Sequence, residues 1–106
     1  MGQFKAVVDF ETEARNCGYS VNQLASNLGI SRRHLTRIFK STTQRSAKAW
    51  MQELRIQDAS QLLDSGKELK AIAYELQYTQ TSHFIRDFKK AVGMTPIQHQ
   101  MKTLAR

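Results

Sequence analysis

A chain of 106 residues, 41% apolar and 24% charged, has room for one small domain, or two very small ones sharing elements. Its formal charge of +7 points to a polyanionic partner, either nucleic acid or an acidic membrane surface. The single cysteine, Cys17, excludes an internal disulfide, no apolar run approaches the ~18 residues of a membrane span, and no signal-peptide pattern opens the chain, so a cytoplasmic protein is expected.

The apolar spacing is helical nearly throughout, and no stretch alternates as a strand does. Phe4, Val7 and Val8 open a first helix expected to run to about Cys17, with Gly18 ending it. Ser20 followed by Gln23 fits a capping box for a second helix, which stops at Gly29. Ser31 is a good N-cap for a third helix over Arg32 to about Thr42. A long fourth covers roughly Ser46 to Ser65 and ends at Gly66. A fifth spans about Glu68 to Leu76, and a sixth about Gln80 to Val92. Thr95 and Pro96 read as the N-cap and first-turn proline of a short last helix. The expected fold is all-α with about seven helices. A first helix-turn-helix subdomain occupies 1–45, a linker helix 46–65, and a second helix-turn-helix subdomain 66–106.

The two subdomains are expected because the pattern repeats. The second helix is apolar at Val21, Leu24, Ala25 and Leu28, and the fifth at Leu69, Ile72, Ala73 and Leu76, every member displaced by 48 residues. Past the turn the displacement becomes 49: Leu35 matches Phe84, Arg37 matches Arg86, Phe39 matches Phe88, and Lys40 matches Lys89. One extra residue in the second turn accounts for the change. A helix, a tight turn and a second helix make the helix-turn-helix arrangement, and the small Ala25 and Ala73 suit close helix crossings.

Charge follows the same plan. Between Ala14 and Gln52 there is no Asp or Glu but seven basic residues, while acids gather at Asp9–Glu13 and Glu53–Glu75. On the third helix Leu35, Ile38, Phe39 and Thr42 form one stripe, and Arg33, Thr36, Arg37 and Lys40 form another roughly opposite. The sixth repeats this with Phe84, Phe88, Ala91 and Val92 inward, and Ser82, Arg86, Lys89 and Lys90 outward. The apolar stripe fixes each helix on its domain and leaves the basic one to meet a ligand. Duplex DNA admits a helix in its major groove, where residues near the helix start reach base edges. Base-reading candidates are therefore Arg32, Arg33, Thr36 and Arg37 in the first repeat, and Gln80, Thr81, Ser82 and Arg86 in the second. Ser31, Lys40, Arg45, Lys89 and Lys90 are placed to grip phosphates. The fourth helix has Ala47, Trp50, Met51 and Leu54 on one side of its first half, and Ile56, Ala59, Leu62 and Leu63 on a rotated side of its second. Such a helix packs its two ends on different subdomains, and its ~30 Å length is close to the ~34 Å of one DNA turn. A monomer would then suffice to read two adjacent groove segments.

Other chemistry has less support. His34, His83, His99 and Cys17 match no metal-ligand spacing, so no metal or cofactor is expected. Trp50 reads as a core anchor and Cys17 as a small helix-end residue. No phosphate-binding glycine loop or Ser/His/acid grouping marks an enzyme. A basic helical RNA-binding or protein-interaction module is the alternative, but the phenylalanines occupy inward stripes rather than stacking positions. Membrane attachment would need a broader apolar face than either recognition helix has.

The stretch "AIAYELQYTQTSHFIRDFKKAVGMTPIQHQ", with its "SHF", "R-D-FKK", "VG" and "TP" elements, resembles the DNA-binding domain of the AraC/XylS family of bacterial transcription regulators. "LASNLGISRRHLTRIFK" resembles that family's more variable first half, and the likeness covers about Tyr19 to Met101. It implies two helix-turn-helix units on a long helix, promoter binding, recruitment of RNA polymerase and usually activation. It places base reading on Arg33, Thr36, Arg37, Thr81, Ser82 and Arg86. Family members usually carry a separate sensing or dimerising domain, which does not fit into the few residues before Tyr19, so either a stand-alone member or the reader part of a longer protein is expected. Three positions depart from the pattern. Gln77 stands where the family commonly has Gly, and Gln44 where the second repeat has Gly93. Asp87 is expected to weaken phosphate binding locally or to pair with a basic neighbour, making Arg37 the stronger of the two central arginines.

Overall fold

The computed structural model describes residues 10–104. Phe4, Val7 and Val8, expected to open the first helix, lie outside the described residues. Among those described, every regular element is an α-helix: α1 (residues 10–16), α2 (Val21–Leu28), α3 (Arg32–Thr43), α4 (Ala47–Asp64), α5 (Leu69–Glu75), α6 (Thr81–Val92) and α7 (Pro96–Leu104). The chain divides into two compact units, and the division falls inside α4 between Leu54 and Arg55.

In the first unit the helix starts are set by serine caps. Ser20 Oγ accepts the Gln23 N–H at 3.2 Å, and Ser31 Oγ accepts the His34 N–H at 3.0 Å, each satisfying a donor with no partner inside its helix. Only half of the expected capping box forms at Ser20: its own N–H donates to the Cys17 carbonyl at 3.3 Å, and the Gln23 side-chain amide donates forward to Asn27 Oδ1 at 3.0 Å. Gly29 ends α2 at φ 71° and Gln44 ends α3 at φ 66°. Leu24 and Ala25 of α2 pack with Leu35 and Phe39 of α3, and Ala14, Cys17, Val21, Ala47, Met51 and Leu54 close the core. The Phe39 ring lies 5.1 Å from Phe10 and 4.9 Å from Trp50, which makes half-buried Trp50 a core residue. Full burial of such a ring contributes about 1.5–3 kcal/mol.

The second unit takes Ile56, Ala59 and Leu63 from α4, Ile72, Ala73 and Leu76 at α5, and Phe84 and Phe88 from α6 into its buried set. The buried row on α4 thus changes between Leu54 and Ile56. Phe84 and Phe88 meet edge to face at 5.9 Å, and Phe88 meets His99 of α7 in the same way at 5.5 Å. A reciprocal capping box opens α7: Thr95 Oγ1 accepts the Gln98 N–H, and Gln98 Oε1 accepts the Thr95 N–H. Gln100 donates to the carbonyl of Leu63 in the last turn of α4 and to that of Lys67 in the turn that follows. Beside it, Asp64 Oδ1 accepts from Thr103 and lies 3.2 Å from His99 Nε2.

Three residues expected inward are not. Thr42 is exposed, its hydroxyl returning to the Ile38 carbonyl. Ala91 is exposed, and Leu28 is 40% exposed whereas its repeat partner Leu76 is buried. All three lie in the last turn of their helix. Among the described residues no helix is long and apolar enough to cross a membrane.

Gln77 adopts the left-handed conformation, φ 68°, in the turn after α5. Its side chain is exposed and its N–H donates to the Tyr74 carbonyl. A Cβ there strains the backbone, and glycine removes the strain. Gln77→Gly is therefore expected to stabilise the second unit by about 1 kcal/mol, even after the added unfolded-state entropy. Urea unfolding checks it: an unchanged or lowered midpoint would count against the strain argument.

Candidate nucleic-acid interface

The two candidate reader helices are built alike. Leu35 and Phe39 on α3, and Phe84 and Phe88 on α6, are each at most 1% exposed, so each helix is held along one side. Arg33, Arg37 and Lys40 on α3, and Ser82, Arg86, Lys89 and Lys90 on α6, are all exposed. Thr36 and Thr81 are half-buried, at the border between the two sides. Lys40, Lys89 and Lys90 lie in last turns, where the helix dipole favours cations.

Three candidates are already engaged. Arg32 Nη1 donates to Asn22 Oδ1 of α2 at 2.9 Å, tying its guanidinium to the neighbouring helix. Ser31 spends its hydroxyl on the cap of α3. Arg45 is paired with Glu53, both about half exposed. Gln80 occupies the N-cap position of α6 without a side-chain cap bond, and its Oε1 accepts weakly from Ser82 Oγ at 3.4 Å.

Asp87 takes the pairing branch of the expectation rather than standing open on the helix. Its Oδ2 accepts from Tyr78 Oη at 3.1 Å, and its Oδ1 lies 3.9 Å from Arg86 Nε. Tyr78, Arg55, Asn22 and Glu53 are participants that sequence reasoning missed. Their hydrogen-bond and ion-pair partners are 8 to 21 positions away in the chain, and no periodicity links them.

Cys17 is buried, and Asn27 Nδ2 donates to its Sγ at 3.2 Å. Burial and nearby Glu13 push the thiol up from its ordinary pKa, against the smaller effect of Asn27, which keeps it in its neutral form. Among the described residues, no three His, Cys, Asp or Glu side chains are grouped as metal ligands would be.

Two helix-turn-helix units, each presenting a basic helix over a buried apolar seam, define a double helix-turn-helix nucleic-acid-binding domain. The comparisons with known proteins give the family. Residues 24–102 match the family described as "Helix-turn-helix domain", and the chain belongs to it, as a DNA-binding domain of the AraC/XylS type. It is similar to the HTH-type transcriptional regulator NimR of Escherichia coli K12, with 35% identity over 77 residues, 73% of this chain and 28% of that protein. The virulence regulon transcriptional activator VirF of Yersinia enterocolitica is 29% identical over 89 residues, 83% of this chain and 33% of VirF. Among solved structures, a DNA-binding transcriptional dual regulator from Escherichia coli K-12 superposes with a TM-score of 0.78 at 28% identity, covering 91% of this chain and 89% of that one. An AraC-type regulator from Chromobacterium violaceum superposes with a TM-score of 0.70 at 27% identity, over 79% and 76% of the two chains. The chain thus spans about a third of the length of the two curated relatives. Family and fold are those of a DNA-binding regulator domain and not of an enzyme.

Proposed function

We propose that this domain binds duplex DNA sequence-specifically, with α3 and α6 in adjacent major-groove segments, and that one copy is enough. Arg33, Thr36 and Arg37 read bases in one segment, with Arg32 alongside them, tethered to Asn22. Thr81, Ser82 and Arg86 read the other, with Gln80 at the helix start. Lys40, Lys89 and Lys90 hold phosphates, with smaller parts for Ser31 and Arg45, which already serve other partners. The observation that carries this reading is the recurrence of one design: an exposed basic face opposite a fully buried apolar one, at matching positions of a repeat. Guanidinium groups suit the paired acceptors of guanine, and lysines suit phosphates. The RNA alternative is disfavoured because Phe39, Phe84 and Phe88 are enclosed and offer no stacking surface.

We further propose that the protein acts in the bacterial cytoplasm as a transcription activator that recruits RNA polymerase at a promoter. The name of VirF supports the sign of regulation, and the name of the dual regulator allows both signs. Selecting bound sites from random duplex DNA tests the core of the reading. Two short elements with centres about 10 bp apart are expected. Enrichment of one element only would overturn the two-unit reading, and no enrichment would overturn sequence-specific binding.

A further inference from the structure

Asp87 is the one acidic residue of α6, and its surroundings assign it work other than meeting DNA. Its side chain is 29% exposed against 71% for Arg86, and its Oδ2 accepts the Tyr78 hydroxyl. Tyr78 stands in the turn between α5 and α6. Its ring packs on Phe84 at 5.6 Å, and the Arg55 guanidinium lies over it, 3.7 Å from the centroid. Arg55 Nε in turn donates at 2.8 Å to the carbonyl of Leu76, the residue that ends α5. A chain of polar and stacking contacts therefore runs from α4 through the turn to α6, wholly inside the second unit.

The matching positions of the first repeat are apolar. Forty-eight residues before Tyr78 stands Ile30, and forty-nine before Asp87 stands Ile38, both half-buried and apolar. Two apolar side chains tolerate a small rotation of a helix without losing much. A hydrogen bond does not, because it favours an angle above ~150° and weakens steeply below ~120°. A polar linkage at this place makes the orientation of α6 more sharply defined than packing alone would.

We infer that Arg55, Tyr78 and Asp87 are positioning residues that fix the rotation of α6 about its axis and so decide which of its outer side chains meet base edges. The inference rests on the DNA-binding reading of α6, and it makes Asp87 a brace and not a repeller of phosphate.

Tyr78→Phe tests it with little disturbance, since the ring under Arg55 and against Phe84 is kept and only the hydroxyl goes. Binding is measured on the selected duplex, on duplexes with either element scrambled, and on unrelated duplex. The expected result is a loss of about tenfold in preference for the second element, the size of one hydrogen bond to a charged acceptor. Preference for the first element and affinity for unrelated duplex stay as in the wild type. Asp87→Asn, which keeps an acceptor for Tyr78, retains most of the second-element preference. A discriminating wild type alongside a Tyr78→Phe variant of undiminished second-element preference overturns the brace alone. A wild type that prefers no duplex sequence overturns the DNA reading, and the positioning role falls with it.

Discussion

Arg37→Ala and Arg86→Ala are each expected to weaken binding to the selected duplex by about ten- to a hundredfold while changing affinity for unrelated duplex far less. The reasoning starts from the side chains. Both arginines are exposed on the side of their helix opposite a buried Phe pair or Leu-Phe pair, one turn into α3 or α6. A guanidinium delivered there can bond two acceptors of one guanine, and truncation leaves those acceptors unmet. Neither residue supports the core, so melting temperature is expected to stay nearly unchanged, as for most exposed substitutions. The sequence alone ranks Arg37 above Arg86 because of Asp87. With Asp87 accepting from Tyr78, and the Arg86 pair loose at 3.9 Å with Arg86 itself largely exposed, that carboxylate holds Arg86 only weakly. Losses of the same order are therefore expected at both. Because the two act on different elements, the double variant is expected to lose roughly the product, a hundred- to ten-thousandfold. Anisotropy titrations on intact and half-scrambled duplexes decide it. Two single variants within twofold of wild type, with base preferences unaltered, would remove both arginines from the reader.

What the sequence makes legible, and what it hides, follows from how each feature is encoded. Helix starts and stops are local. Ser31, Thr95 and Pro96 act through groups within three residues of themselves, and Gly29, Gly66 and Gly93 answer a backbone demand at one position, so all can be read from the string. The apolar seams are nearly local too, since helical spacing alone puts Leu35 with Phe39 and Phe84 with Phe88. The seams fail at their ends. Whether Thr42, Ala91 or Leu28 is covered depends on how far a neighbouring helix extends, and periodicity on one helix carries no information about that. The polar pairings are less legible still. Nothing in the charge pattern says that Arg45 meets Glu53 or that Arg32 reaches back to Asn22, because such pairs form wherever two flexible side chains happen to converge. Arg55, Tyr78 and Asp87 are dispersed over 33 positions and meet only through the folded turn. The candidate site is thus readable as a face and only partly readable as a set of available groups.

That distinction bears on the ionic-strength dependence, where a change of comparable size is expected. If the domain displaces counterions from about six phosphates, log K should fall with log salt at a slope near −5. Raising salt from about 50 to 200 mM would then cost on the order of a thousandfold in affinity. The exposed cations give such a number a physical basis: Lys40, Lys89 and Lys90 on the reader helices, with the arginines beside them. They do not all count equally. Lys89→Ala or Lys90→Ala is expected to flatten the slope by about 0.9 and to weaken selected and unrelated duplexes alike, because a phosphate contact carries no sequence information. Arg45 must first leave Glu53, so Arg45→Ala is expected to flatten it by less. A base-reading loss and a phosphate loss are in this way separable in one set of titrations: the first changes the ratio of selected to unrelated affinity at fixed salt, the second changes the slope on both. A slope close to zero on the selected duplex would mean that the basic faces are solvated surface, and the assignment of α3 and α6 as groove readers would go with it.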